Sequence, residues 1–132
     1  MRTEHLQFNN LSPEAFEWVQ ATYTAIDSMN VNDFGRMLAE EAELMFANNP
    51  IAHGKTQLLG GIQAFWRTIN GLNHHFIKVY QIDYTLILEA MIDYTRKDNQ
   101  IVTIPCTTII ERNAKHLATH MRIYLDVLPI YQ

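Results

Sequence analysis

Apolar positions along the chain change their period once, and that change sets the architecture. Phe16, Val19, Tyr23 and Ile26 recur at helical spacing behind Ser12-Pro13-Glu14, a start signal with Ser as N-cap, Pro at the first helical position and acid in the first turn. The spacing predicts a first helix from about Pro13 to about Met29. Asn30 and Asn32 interrupt it, and Phe34, Met37 and Leu38 predict a short second helix packed on the first. EAELMFANN reads as a short strand. Leu58, Ile62, Phe65, Trp66 and Ile69 then mark a third helix that Asn70-Gly71 closes.

From His74 onward β-branched and aromatic residues alternate between turns, which predicts four strands: HHFIKVYQIDYT, LILEAMIDYTR, IVTIPCTTIIE and LATHMRIYLDV. The short KDNQ and RNAKH turns make the last three an antiparallel meander, and the three helices must cover one of its faces. The expected fold is α+β: a cone-shaped, curved mixed or antiparallel sheet wrapped around three N-terminal helices, a cystatin-like roll, in one domain spanning 1–132.

A two-residue turn at Asp98-Asn99 sets Tyr94 opposite Thr103 and Ile92 opposite Pro105. One face of the meander then carries Tyr94, Thr103, Thr107, His120, Arg122, Tyr124 and Asp126, and the other Val102, Ile104, Cys106, Ile110, Met121, Ile123, Leu125 and Val127. Neither is plain solvent surface, so a pocket is expected on one side and a packing or subunit interface on the other. A homodimer burying Ile104, Cys106, Ile123 and Leu125 is the expected assembly.

Composition narrows the partners. Ten basic and fourteen acidic residues, scattered without runs for a formal charge of −4, exclude a basic face for nucleic acid or anionic membrane. A small molecule or a protein is the expected partner. The single cysteine, Cys106, excludes an internal disulfide and fits a reducing, cytoplasmic compartment. MRTEHLQFNN lacks a signal-peptide core, and no apolar run approaches the ~20 residues of a spanning helix.

Candidate chemistry starts at FANNPIAHGK, Phe46 to Lys55. Pro50 forces the chain out of the sheet and leaves Asn48 and Asn49 at the rim of whatever the strand encloses. An amide cannot take up a proton, but His53 just beyond titrates in the useful range and is a candidate acid or base. His116 and His120 fall on a turn and strand, and adjacent His74 and His75 point to opposite faces, so no three-ligand metal set assembles. No cofactor motif is present, and Cys106 reads as a buried structural thiol.

The order of elements, the strand ending in Asn49-Pro50, the Ile104-Pro105 pair and the terminal Tyr124-x-Asp126-x-x-Pro129 resemble the SnoaL-like branch of the nuclear-transport-factor-2 superfamily over nearly the whole chain. That resemblance implies ketosteroid-isomerase, polyketide-cyclase or epoxide-hydrolase relatives, together with non-catalytic binding and dimerisation modules. In the isomerases an Asp-Pro pair supplies the base where this chain has Asn49-Pro50, Thr107 stands where a protonated acid is expected, and Tyr23 matches the oxyanion-donor tyrosine. Classical ketosteroid isomerisation is therefore disfavoured. The resemblance implies Asp126 as a last-strand acid/base, with Tyr23, Tyr94 or Tyr124 as donors to a small hydrophobic ligand.

Overall fold

The computed structural model describes residues 1–4, 7–9 and 11–132; His5, Leu6 and Asn10 of the leading MRTEHLQFNN stretch lie outside the described residues. Helix α1 runs Pro13–Asp27, with the Ser12 hydroxyl accepting the Ala15 N–H at 3.1 Å. It buries Trp18, Val19, Tyr23 and Ile26, each stabilising the fold by about 1.5–3 kcal/mol when fully removed from water. Asn30, which halts α1, caps α2 (Val31–Gly35) by accepting the Asp33 N–H. Strand β2 covers Leu38–Phe46, longer than the expected short strand, and β3 is only Ala52–His53. Gly54 turns the chain with φ of 88°, a conformation that favours glycine, into α3, Lys55–Trp66.

Strands β4 (Gly71–Ile82), β5 (Thr85–Thr95), β6 (Ile101–Arg112) and β7 (Ala118–Tyr124) are the predicted four. With β1, Gln7–Asn9, they form one sheet in the order β1-β4-β5-β6-β7-β2-β3. The β1–β4 and β2–β7 pairs are parallel and the others antiparallel. The sheet is mixed and curls around α1 and α3, the expected α+β cone.

Two registers differ from expectation. The Asp98-Asn99 turn is longer than two residues: Arg96 N–H bonds Gln100 O at 2.8 Å and Asn99 adopts φ of 67°, the left-handed residue of a three-residue hairpin loop. Tyr94 therefore pairs with Val102, and Asp93 with Thr103. The slip of one moves Tyr94 onto the aliphatic face. In β6–β7, where Arg112 opposite Leu117 across the RNAKH turn would set Thr107 against Arg122, Thr107 instead pairs with Tyr124, past an irregularity at Glu111/Arg112, and this even shift leaves the faces unchanged. The aliphatic face is the inside of the cone: Ile104 is 3% exposed and Cys106 is buried beside it. Those residues belong to the chain's own core and cannot form the expected dimer surface. Strand β7 also ends at Tyr124, so Asp126 lies beyond the last strand.

Candidate functional site

Inside the cone, the C-terminal half of α1 faces the start of β4 and the middle of β6. Tyr23 and Asp27, four residues apart on α1, lie one above the other on its inner side. His74 of β4 meets them both. Its Nδ1 is 2.6 Å from Asp27 Oδ1 and its backbone N–H donates to Asp27 Oδ2 at 3.0 Å. The Tyr23 ring stands edge-on to His74, centroids 4.7 Å apart, and edge-on to Phe76 at 4.8 Å. His74 stacks on Phe76. The Asp27 side chain is only 8% exposed and also meets the Met1 amino group at 3.1 Å.

These contacts fix protonation. Burial opposes ionisation of Asp27, but the His74 hydrogen bonds and charge, with the Met1 ammonium, outweigh it and hold the carboxyl below its ordinary range. A carboxylate at Oδ1 requires a proton on His74 Nδ1, which leaves Nε2 as the unprotonated nitrogen of the neutral ring. Burial, reinforced by the nearby Cys106 thiol, pushes the phenols of Tyr23 and Tyr94 well above their ordinary value. Both stay neutral donors. Burial likewise raises Cys106, whose Sγ sits 3.6 Å from Thr108 Oγ1.

A chamber opens where these groups converge, lined by Tyr23, His74, Tyr94, Thr108 and the rings of Phe46 and Phe65. It leaves about 40 Å³ for the centres of water-sized atoms. A second space of about 110 Å³, lined by Asn49, Pro50, Ala52 and Gly61, adjoins it and shares Leu44, Phe46, Ile62 and Phe65. A base, two phenol donors and a hydroxyl around an apolar void can accept a proton from a bound molecule while stabilising charge that develops on its oxygen.

The structure brings three of the expected residues to this region: Tyr23 and Tyr94 in the chamber and Asn49 in the adjoining space. The other four lie outside the cone. Asp126 is exposed and accepts the Leu128 N–H at 3.0 Å, closing the final turn. His53 is exposed, its Nδ1 3.0 Å from Glu43 Oε2. Thr107 and Tyr124 pair across β6–β7 on the outer face, and Thr108, one residue on, points inward. The residues missed by sequence reasoning are Asp27 and His74. The signal was an acid one turn beyond Tyr23, on the buried side of an amphipathic helix, facing a histidine at a strand start. Among the described residues no group of three or more His, Cys, Asp or Glu is arranged to hold a metal ion, and no helix is long and apolar enough to cross a membrane.

No family model and no curated protein matches the chain. Solved structures do. One is a protein with a ketosteroid-isomerase-like fold from Catenulispora acidiphila, in complex with trimethylamine: 20% identity, TM-score 0.73, covering 82% of this chain and 84% of that one. A candidate SnoaL-like polyketide cyclase from Jannaschia sp. CCS1 matches at 14% identity and TM-score 0.77, over 92% of both chains. An epoxide hydrolase of M. tuberculosis, LEH-like, matches at 14% and 0.73, over 89% and 86%. The chain therefore has the SnoaL-like, nuclear-transport-factor-2-like fold that its sequence resembles.

Proposed function

We propose that the protein binds a small, largely apolar molecule inside the cone and moves a proton on it, in a reaction of the isomerase, cyclase or hydrolase type. The Asp27–His74 pair carries this reading, because a 2.6 Å bond holds one ring nitrogen against a carboxylate on a histidine that lines the chamber. His74 Nε2 is the base; Asp27 holds its tautomer and stabilises the imidazolium formed on proton uptake. Tyr23 and Tyr94, both neutral, donate to the oxygen on which charge develops. Asp126, expected from the resemblance as acid/base, is assigned no step, since its carboxylate faces solvent and a backbone N–H.

The test is deuterium exchange from solvent into the α-position of a one-ring ketone such as cyclohexanone, followed by NMR. The expected result is exchange above buffer, reduced on the order of 10²-fold or more in His74→Ala. Exchange that persists in His74→Ala overturns the assignment. A second reading, a non-catalytic dimerisation module whose cavity is largely filled by its own side chains, draws support from the chamber of about 40 Å³, far below the ~300 Å³ of an ordinary ligand pocket. Absence of both exchange and any retained small molecule selects it.

The homodimer also stands as a proposal, but on the outer sheet face. Tyr124 is 48% exposed there, beside Thr107. Light scattering on size-exclusion fractions tests it, a stable contact needing roughly 1,000 Å² or more.

A further inference from the structure

The two spaces inside the cone differ in chemistry and share a wall of Leu44, Phe46, Ile62 and Phe65. The inner chamber holds the phenols and His74; the outer space, a vestibule, is rimmed by the amide of Asn49 and the ring of Pro50. Phe46 and Phe65 line both. Their ring centroids are 4.9 Å apart at a tilt of 48°, and Phe65 also meets Tyr94 edge-on at 5.8 Å. Both rings are only partly buried, and both sit at element ends: Phe46 closes β2, just before Ala47 with φ of 52°, and Phe65 is next to last in α3.

Helix α3 is anchored by buried Leu58, Ile62 and Trp66 but carries little local helix-forming support. Its N-cap, Gly54, offers no side-chain hydrogen bond. Gly60 and Gly61 interrupt its middle, although a Cβ at either would meet no atom within 4 Å. Packing does not ask for glycine there, so the pair's effect is to weaken the helix that carries Phe65.

We infer that Phe46 and Phe65 form a gate between vestibule and chamber, and that the ligand is a single-ring molecule with an oxygen at its inner end and a second hydrogen-bonding substituent at its outer end. The ring passes the gate so that the inner oxygen reaches Tyr23 and His74, and the outer substituent stays with Asn49. The size limit follows from the chamber's small volume, which admits a ring only as Phe46 and Phe65 swing aside. The polar substituent follows from the position of Asn49 on the vestibule wall. The identity of the inner end rests on the proton-transfer reading; the gate does not.

Stopped-flow absorbance with 4-nitrophenol as the probe tests it. In the wild-type protein the observed binding rate should level off with concentration, because gate opening limits it. Phe65→Leu and Phe46→Leu should raise the plateau about tenfold or more, and Gly60→Ala with Gly61→Ala should lower it. Asn49→Ala should weaken 4-nitrophenol but not phenol. His74→Ala should leave the plateau within about twofold while abolishing deuterium exchange, so the gate and the proton-transfer reading fail separately. A plateau that neither ring variant moves, a linear rate in the wild-type protein, or no binding of 4-nitrophenol by wild type and Phe65→Leu alike overturns the inference.

Discussion

Replacing Asp27 by Asn keeps the shape of the side chain and changes only what it can accept. In the native protein the carboxylate takes two bonds from His74, at 2.6 and 3.0 Å, and faces the Met1 amino group at 3.1 Å. An amide has one oxygen. It is best used at the Oδ2 position, where both the His74 N–H and the Met1 amino group point, leaving the NH₂ against His74 Nδ1. That nitrogen must then become an acceptor, so the ring proton moves to Nε2, the nitrogen assigned as the base. Two charge-assisted bonds become neutral ones, a loss of about 1 kcal/mol each, or about 2 kcal/mol in all before the relief of an undissolved carboxylate is counted. For a chain of this size Tm should fall by roughly 6–10 °C. Activity should fall more than stability, by on the order of 10² or more, because the base has become a donor. Calorimetry gives the first number, and long-range ¹H–¹⁵N correlation of the imidazole reports the tautomer directly. An Asp27→Asn protein with an unmoved Tm and the proton still on Nδ1 would refute the reasoning.

Asp27 also sets an acid limit. Its folded pKa is lowered, so it contributes stability in full above the ordinary carboxylate range near pH 4 and loses it as pH falls through the lower folded value; Asp27→Asn should flatten the loss of stability measured by denaturant titration below about pH 4. Tyr23 and Tyr94 act in the opposite direction: their raised pKa values keep stability intact below about pH 10 and withdraw it as pH rises further, and tyrosinate absorbance should show two phenols still neutral at about pH 11 in the folded protein. Asp126→Asn should leave deuterium exchange within about threefold of wild type, since the side chain serves only the Leu128 N–H; a loss on the order of 10²-fold would return the acid/base role to the end of the chain. Arg112→Ala should cost about 3 kcal/mol in denaturant unfolding, because its fully buried guanidinium bonds Glu14 at 2.8 Å and Tyr84 O at 3.2 Å and lies over the Trp18 ring.

How far the fold could be read ahead of the coordinates depended on whether local chemistry or tertiary contact decided each element. Ser12-Pro13 and the alternating runs after His74 decide the existence and type of their elements by themselves, although β4 starts three residues early at Gly71 and β7 stops at Tyr124. The loop at Arg96–Gln100 does not. KDNQ suits a two-residue turn as well as the three-residue loop with Asn99 left-handed, and that single choice moved Tyr94 from one face of the meander to the other. Strand β7 stops at Tyr124 although the apolar alternation continues through Leu125 and Val127, because beyond it the Asp126 carboxylate offers the Leu128 N–H a turn instead of a ladder.

The site was less legible than the fold for a related reason. Tyr23 could be found because it lies on the apolar stripe of the first helix, where the resemblance matches it to an oxyanion-donor tyrosine. Asp27 and His74 each look ordinary alone: an acid at a helix end, and one of two adjacent histidines on a strand. They become a site only through a contact across forty-seven positions, fixed by how α1 crosses the start of β4. Parity then separates near neighbours completely. His74 is 7% exposed inside the cone, and Thr108 faces the chamber while Thr107 faces outward. A resemblance that names the right strand but is one residue out therefore selects the wrong side of the sheet. The same logic explains why Asn49 at the isomerase base position need not end acid/base chemistry in this chain. In the proposed reaction the Asp27–His74 pair in the chamber, rather than a residue at the Asn49 rim, accepts the proton, and the neutral phenols that line the same chamber would receive the developing charge.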